Sequence, residues 1–411
     1  MSAGRRKRRF VALAGWSGIV LAGGLVLVES EGCQTDSQAP SCDFQEQVTE
    51  VGTPLTLLPH ARLDQVGSGF VLVGFDGRLV RWATVDTRGQ LGTEQSALLP
   101  ASTAGPWFAV AGKSAPGDRI LIAYGTAAAT AGMVDIQILA VPASGTGSPV
   151  ATGTLVTVPD PAALDGAALV MGSGRLGMRA GLAWSIPGRG EVRVQSLGGD
   201  GQPQGAALAE PLEAAQQQVE CLSFVAGKDD LALGFLAQES PADPNPGWTI
   251  LEVREGGTLD ASATIRLGTS DPTCPHSAAS GAGYVTVWQN ELGSLIAVYD
   301  GTSNTFTSKI FAGAVTFGGA DVQPPLAGVG PVSGGDFAVV LARPGAAEAW
   351  RVSPAGAVAA QTVVFPSSVG QMGDISTVSV SGALYSTYAD YPSAAGFGKD
   401  GQRFFVKVTC F

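Results

Sequence analysis

Two stretches of the chain, CLSFVAGKDDLALGF at residues 221–235 and CPHSAASGAGYVTVW at residues 274–288, have the same plan. Each begins with a cysteine, continues through an apolar run and a turn, and ends on an aromatic residue 14 positions later. Cys221 and Cys274 are therefore 53 residues apart and occupy equivalent positions in consecutive repeats. Because equivalent positions near the start of an innermost strand come close together in neighbouring repeats, we predict a disulfide between them. Two buried free thiols are the alternative.

An apolar run, a turn and a second apolar run recur seven times along the chain, at intervals of 46 to 60 residues, and the second run closes on an aromatic in every copy but the sixth. The residues that close the second apolar run of each copy are Val73-Gly74-Phe75, Ala123-Tyr124, Ala183-Trp184, Gly234-Phe235, Val287-Trp288, Leu341-Ala342 and Thr387-Tyr388. Apolar and polar residues alternate within each copy, which indicates four short, half-buried strands. The pattern predicts an all-β fold: a seven-bladed β-propeller of four-stranded antiparallel blades over residues 42–411, with the closing aromatics packed between blades. A two-sheet sandwich or several small β domains are the alternatives.

The last copy runs out of chain after its third strand, residues 403–410. Residues 42–51 precede the first copy and can supply the missing fourth strand, so we predict that the N-terminal strand closes the last blade. The third and fourth strands of a blade are antiparallel neighbours. Cys410 ends one and Cys42 begins the other, and we therefore predict a second disulfide between these two cysteines.

Composition disfavours helical and doubly wound folds, because the 411 residues include 57 glycines and 25 prolines. Residues 211–218 are the one good helix candidate.

Five of the 24 basic residues form the cluster Arg5–Arg9, and two of the 35 acidic residues precede Cys33. The chain beyond Cys33 thus carries 19 basic and 33 acidic residues, a net charge of −14. So acidic a surface disfavours nucleic acid as a partner, and we expect a monomer.

The N-terminus has the form of an export signal: the basic cluster is followed by 18 uncharged residues, Val11–Val28. Gly32-Cys33 then resembles the end of a bacterial lipoprotein signal, which implies lipid attachment at Cys33. An uncleaved membrane anchor and simple cleavage remain alternatives, and a buried core helix is disfavoured by the flanking charges. We assign residues 1–33 to an export signal or membrane anchor and residues 34–41 to a tether. The protein is thus expected at the bacterial cell envelope, anchored in the membrane.

The motifs predict no cofactor and no metal site. The run Gly172–Gly177 matches G-x-G-x-x-G but lacks the helix that a dinucleotide site needs, so we interpret it as a hairpin turn. Each Asp-Gly pair is a turn signal, and Cys274-Pro275-His276 offers too few ligands for zinc. The chain resembles exported, lipoprotein-like seven-bladed β-propellers in general, without the motif of any one family. Architecture alone does not decide function.

Two functions from different classes remain open. The first is a non-enzymatic, envelope-anchored module that binds a protein or glycan partner, which the absence of catalytic motifs favours. The second is an enzyme that acts on polysaccharide through paired carboxylates near the central channel. The residues that the repeat places near the starts of the innermost strands, and which we predict to line the channel mouth, are His60, Asp64, Trp107, Asp165, Glu220, His276, Asp321 and Asp374.

Overall fold

Short strands of alternating buried and exposed residues make up most of the chain. The computed structural model describes residues 49–50, 61–67, 69–76, 79–99, 109–113, 118–145, 148–159, 168–173, 179–186, 188–212, 218–227, 230–238, 246–254, 258–267, 274–280, 283–290, 293–300, 305–313, 327–391 and 402–409. Among these, the one helical element is a 3-10 turn, Ser333–Gly335. The strand Met133–Pro142 illustrates the rule, since every second side chain from Val134 to Ala140 is buried.

The strands are numbered in chain order, and each sheet takes its number from its place along the chain. The N-terminal strand is β1 (Thr49–Glu50). Sheet 1 contains β2 (Arg62–Val66), β3 (Gly69–Asp76), β4 (Leu79–Val85) and β5 (Gln95–Leu98). Sheet 2 contains β6 (Ala109–Lys113), β7 (Arg119–Ala127), β8 (Met133–Pro142), β9 (Val150–Ala151) and β10 (Val156–Pro159). Sheet 3 contains β11 (Ala168–Ser173), β12 (Ala180–Ser185), β13 (Glu191–Leu197) and β14 (Leu208–Pro211).

The second half of the chain continues the pattern and ends in a larger sheet. Sheet 4 contains β15 (Gln218–Gly227), β16 (Asp230–Gln238), β17 (Gly247–Arg254) and β18 (Thr258–Arg266). Sheet 5 contains β19 (His276–Ser280), β20 (Gly283–Asn290), β21 (Gly293–Asp300) and β22 (Thr305–Gly313). Sheet 6 contains β1 together with β23 (Ala327–Pro331), β24 (Phe337–Val352), β25 (Val358–Val380), β26 (Ala383–Tyr391) and β27 (Gln402–Thr409). Neighbouring strands are antiparallel throughout.

The expected antiparallel four-stranded unit is therefore present, but the described strands form six sheets rather than seven. Sheet 6 has six strands because β24 and β25 are long, with 16 and 23 residues, and run on where the repeat predicts four short strands. β25 spans the end of the sixth copy and the start of the seventh. Only a few residues connect these two copies, so the backbone passes from one set of pairings to the next without leaving the sheet.

The ends of the chain meet in sheet 6, where β1 pairs antiparallel with β27. Thr49 lies opposite Phe405 and Glu50 opposite Phe404. The N-terminal strand thus adds to the C-terminal one in the predicted orientation, while Cys42 and Cys410 lie outside the described residues. The helix prediction for residues 211–218 is wrong at both ends, because Pro211 ends β14 and Gln218 begins β15.

The hydrophobic core lies between sheets rather than within any one of them. Tyr124 is buried between sheets 1 and 2, Trp184 between sheets 2 and 3, and Phe235 between sheets 3 and 4. Trp288 completes the series between sheets 4 and 5. The aromatics that close the second strands of sheets 2 to 5 are therefore packing residues, as predicted. Burying a side chain of this size stabilises the fold by about 2–3 kcal/mol at each junction.

The first strands of the sheets form a continuous series at the centre of the fold. Each of β2, β6, β11, β15 and β19 contacts the first strand of the next sheet, β23 contacts β25, and β25 contacts β2. Sheets 6 and 1 also share a core in which Phe70 packs on Tyr385, with ring centroids 4.3 Å apart, and on Phe405 at 6.2 Å. The described residues contain no sheet that closes on itself.

A glycine pair shapes the junction between sheets 3 and 4. Gly172 and Gly181 lie opposite each other on β11 and β12. Phe224 of β15 covers both: a Cβ at Gly181 would lie 2.8 Å from the Cζ of its ring, and one at Gly172 would overlap its Cβ. The two glycines form a slot for Phe224, and a side chain at either position would fill it.

Candidate functional site

Four of the eight predicted channel-mouth residues fall within the described chain, and all four lie on the first strands of their units. Asp64 is in β2, Glu220 is in β15, and His276 begins β19. Asp374 lies in β25, close to where that strand starts to pair with β26. We call the end of the sheets at which these strands start the leading end. The other four predicted residues, His60, Trp107, Asp165 and Asp321, lie outside the described residues, as does Cys33.

A disulfide joins two first strands at the leading end. Cys221 of β15 is bonded to Cys274, which lies two residues before β19, and their Cα atoms are 5.9 Å apart. The predicted pairing of these cysteines is therefore present. Glu220 and His276 lie one and two residues from the bonded cysteines, and consecutive Cα atoms are about 3.8 Å apart. The disulfide consequently holds the backbones of Glu220 and His276 at the same junction.

Glu220 occupies an irregular position in its strand. Val219 pairs with Ala237 and Cys221 pairs with Leu236, so Glu220 is an extra residue in the ladder between β15 and β16. Its side chain is exposed. A bulge of this kind turns a side chain away from the regular alternation of the strand and is common beside functional sites.

Asp374 lies at a second irregularity of the same kind. The ladder between β25 and β26 shifts register between Gly373, opposite Ala389, and Ser376, opposite Thr387. Two of the predicted carboxylate residues therefore coincide with bulges in first strands, at Glu220 in sheet 4 and at Asp374 in sheet 6.

His276 is the most perturbed titratable group of the leading end. Burial, and to a smaller extent the positive charge of Arg62, lowers its pKa from 6.5 to about 4. The imidazole is therefore neutral near pH 7. Its Nε2 atom is inaccessible to solvent and has no hydrogen-bond partner in the described structure. A buried nitrogen without a partner costs about 1–3 kcal/mol.

Hydrogen bonds fix the strand on which His276 lies. The indole Nε1 of Trp248 donates to the Oγ of Ser277 over 3.0 Å, and this hydroxyl lies 2.8 Å from the Oγ1 of Thr286. These three side chains come from sheets 4 and 5 and are all buried at the junction that the disulfide spans. The start of β19 is thus held by a covalent bond on one side and by buried hydrogen bonds on the other.

Arg62 is the residue of this site that the sequence analysis missed. It is the first residue of β2, it is exposed, and its charge reaches His276 although the two residues belong to sheets 1 and 5. A signal for it existed: residues two apart in a strand lie on the same face, and Arg62 is two residues before Asp64. An arginine at the start of a strand is commonly only a solvated charge, so this signal alone does not indicate a functional residue.

Two other kinds of site were sought in the described part of the chain. It contains no group of three or more His, Cys, Asp or Glu residues arranged to hold a metal ion. Nor does it contain a helix with the length and hydrophobicity to span a membrane.

Comparison with known proteins shows the fold and no family. No protein-family model matches the sequence, and no curated protein matches it significantly. Polysaccharide lyase Uly1 is similar in structure, with 10% identity, a TM-score of 0.51, and coverage of 92% of this chain and 95% of the other. A mutant of NanB sialidase from Streptococcus pneumoniae has 9% identity, a TM-score of 0.48, and coverage of 92% and 72%. A protein from Lactobacillus plantarum has 14% identity, a TM-score of 0.46, and coverage of 82% and 94%. The chain has a β-propeller-like fold, and its structural neighbours include enzymes that act on glycans.

Proposed function

We propose that the protein is an exported β-propeller, held at the cell envelope by its N-terminal segment, that binds a glycan at the leading end of its sheets. One observation carries the proposal: polar groups on the first strands of three sheets lie at the leading end, two of them at the disulfide-linked junction. His276 offers a buried nitrogen without a partner, Glu220 is an exposed carboxylate on a bulge, and Arg62 is an exposed cation whose charge reaches the imidazole. Asp64 adds a second carboxylate on the strand of Arg62.

Sugars suit this combination of groups. Carboxylates accept hydrogen bonds from hydroxyl groups, guanidinium groups donate to sugar oxygens and acid groups, and a neutral imidazole can do either. The ligand sites of folded proteins commonly combine a few convergent polar groups of this kind with a rigid scaffold.

The basic cluster, the uncharged stretch after it and Cys33 support anchoring at the envelope, preferably through lipid on Cys33. Replacing Cys33 with serine should release a lipoprotein from the membrane fraction, and retention there at full length would favour the uncleaved anchor.

We also propose that sheet 6 contains two blades, which brings the total to seven, and that residues 42–51 complete the last one. The pairing of β1 with β27 and the contact of β25 with β2 support this arrangement. The proposed bond between Cys42 and Cys410 belongs to the same closure. Mass mapping of the unreduced protein tests it, and a Cys42 peptide linked to any cysteine other than Cys410 would overturn it.

The binding function is tested with immobilised polysaccharides, both neutral and acidic, and the full soluble domain. Glu220→Gln should weaken retention about tenfold, since a hydrogen bond to a charged group contributes about 1.5–3 kcal/mol. The matched control is Glu210→Gln, which alters a glutamate on β14 at the outer edge of sheet 3 and should leave retention unchanged. If the unaltered protein retains no polysaccharide, the proposed function is wrong.

A second candidate function is cleavage of the bound polysaccharide. The observation in its favour is that the neutral His276 and the exposed Glu220 belong to the same disulfide-linked junction, because an imidazole and a carboxylate can transfer protons to and from a sugar. Paired carboxylates such as Asp64 and Glu220 could act together if their carboxyl groups are about 5–9.5 Å apart. Release of soluble fragments from the same polysaccharides distinguishes this function. An enzyme yields new chain ends that Glu220→Gln abolishes, whereas a binding module yields none.

A further inference from the structure

The disulfide between Cys221 and Cys274 lies where the backbone pairing of one strand is interrupted and that of the other has not begun. Cys221 directly follows Glu220, the extra residue in the ladder between β15 and β16. Cys274 precedes β19, whose pairing with β20 begins at His276, and Pro275 between them has no N–H to donate. The covalent bond therefore joins two segments that the ladders of their own sheets hold less firmly than the strand interiors.

The rest of the junction between sheets 4 and 5 is held by other contacts. The buried indole of Trp248 donates to Ser277 over 3.0 Å, and Tyr284 and Trp288 are buried in the core between the two sheets. None of these contacts requires the bond between the sulfur atoms. Breaking the disulfide should therefore free the leading end of this junction while the sheets stay packed against each other.

Both cysteines are partly exposed, and access to the sulfur atoms governs the rate of thiol–disulfide exchange. We propose that this disulfide is a redox-sensitive switch: a dithiol reduces it in the folded protein and thereby releases the starts of β15 and β19. One thiolate of the dithiol attacks a sulfur of the pair and expels the other cysteine as a thiolate, which takes up a proton. The second thiol then displaces the first cysteine, so two electrons pass to the protein and the dithiol becomes a disulfide.

The released segments carry two groups of the candidate site. Glu220 precedes Cys221, and His276 follows Cys274 by two residues. The bond keeps the Cα atoms of the two cysteines 5.9 Å apart and so limits how far the neighbouring backbones can separate. Reduction removes that limit. The effect on glycan retention rests on the function proposed above, whereas the release of the two segments does not.

The rate of reduction tests whether the switch operates in the folded protein. Dithiothreitol is added, and the free thiols of Cys221 and Cys274 are trapped by alkylation and identified by mass mapping. We expect a rate that is independent of urea below the unfolding transition, since only a local exchange is required. Phe70→Ala, which weakens the distant junction between sheets 6 and 1, should leave this rate unchanged.

A structural crosslink that a reductant reaches only in the unfolded chain would behave differently. Its reduction would begin with unfolding, and Phe70→Ala would speed it about a hundredfold or more. Either result overturns the switch. If Phe70→Ala does not fold, the urea dependence of the unaltered protein decides alone.

Nuclear magnetic resonance tests what the bond holds. Reduction should shift the backbone amide signals of residues 219–222 and 276–278 and leave those of β3 in sheet 1 in place. If only the signals of the two cysteines move, the disulfide does not fix these segments and the proposal is wrong.

Glycan retention links the switch to the site. Reduction should weaken retention about tenfold, because apparent affinity falls with the fraction of molecules in the binding-competent arrangement, and reoxidation should restore it. The double variant Cys221→Ser, Cys274→Ser should bind as the reduced protein does and should not respond to dithiothreitol, which excludes an effect through other cysteines. Equal retention by oxidised and reduced protein overturns the regulatory role. Absence of retention in both states overturns the proposed function, while the rates and amide shifts still decide the switch.

Discussion

Two junctions of the molecule hold their sheets together in different ways. Sheets 4 and 5 are joined by the Cys221–Cys274 disulfide and by the buried hydrogen bond from Trp248 to Ser277. Sheets 6 and 1 are joined by aromatic packing around Phe70 and by two hydrogen bonds between Leu63 and Ser376. The residues bonded at the first junction are 53 positions apart, and those at the second are 313 positions apart.

The difference shows where covalent and noncovalent bonding contribute most. Sheets 4 and 5 are consecutive, so their junction needs no distant part of the chain, and the disulfide secures the backbone beside Glu220 and His276. Sheets 6 and 1 meet only when nearly the whole chain has folded, and the entropy lost in closing so long a loop must be offset by packing. The first junction positions the candidate site, while the second decides whether the chain ends stay together.

The largest effect is expected at the second junction. Phe70→Ala should lower the free energy of unfolding by about 3–5 kcal/mol, because it removes a fully buried ring that contacts Tyr385 and Phe405. Urea denaturation measures the loss. Leu98→Ala is the control, since Leu98 is 67% exposed at the outer edge of sheet 1 and its truncation should cost little. Equal losses in the two variants would contradict the role of this junction.

Removal of the disulfide should have the next largest effect. The double variant Cys221→Ser, Cys274→Ser is expected to lose about 2–5 kcal/mol of stability. It should also change the chemical shift of His276, because the backbone beside β19 is released. Reduction of the unaltered protein with a thiol should reproduce both changes. A double variant that melts at the unaltered temperature and keeps the His276 signal would show that packing alone secures this junction.

The stability of the protein should depend on pH through His276. This residue lies at the junction of sheets 4 and 5, and its pKa is also lowered by Arg62 of sheet 1. Its pKa is about 4 in the folded protein and about 6.5 when unfolded. Above pH 6.5 the imidazole is neutral in both states and stability is unaffected. As pH falls from 6.5 to 4, the unfolded chain gains a proton that the folded protein does not, so about 2–3 kcal/mol is lost.

Urea denaturation at several pH values measures this dependence. His276→Asn should remove that part of the loss between pH 6.5 and 4, whereas His60→Asn serves as the histidine control. Arg62→Ala should remove only the smaller share, because burial is the larger cause of the lowered pKa. If the profile is the same with and without His276, the imidazole titrates normally in the folded protein.

The smallest effect is expected from a single hydroxyl. The Oγ of Ser376 accepts a hydrogen bond from the backbone N–H of Leu63 over 2.9 Å and donates to the carbonyl of the same residue over 3.2 Å. Ser376→Ala leaves both buried backbone groups without this partner and should cost about 1–3 kcal/mol. Ser333→Ala is the matched control, since its exposed hydroxyl donates to the carbonyl of Gly382 and should contribute less. Thermal melts of the two variants compare them, and a larger loss from Ser333→Ala would reverse the assignment.

Much of the fold could be predicted because its determinants are local. Alternation of polar and apolar residues predicts strands, and the aromatic at the end of each second strand marks the junction that it fills, as Trp184 and Phe235 illustrate. The pairing of Cys221 with Cys274 followed from their equal distance to such a landmark. These features can be predicted from the sequence because each depends only on residues of the same copy or of the next copy along the chain.

The remaining features depend on relations that one sequence does not display. The merging of the sixth and seventh copies through β25 depends on how the connection between them pairs. The bulge at Glu220 is a property of the ladder with β16 and not of β15 alone. Arg62 acquires its importance from a histidine more than two hundred positions away.

The slot at Gly172 and Gly181 has a consequence for the history of a repeated chain. When one copy loses two side chains and the next copy supplies an aromatic such as Phe224 to fill the space, the two copies become specific partners. Duplicating, deleting or reordering the units would then leave an open groove on one side and a ring without room on the other. Once neighbouring copies match each other in this way, they are no longer interchangeable. Their order and number are then constrained by packing, as the residues of the core are.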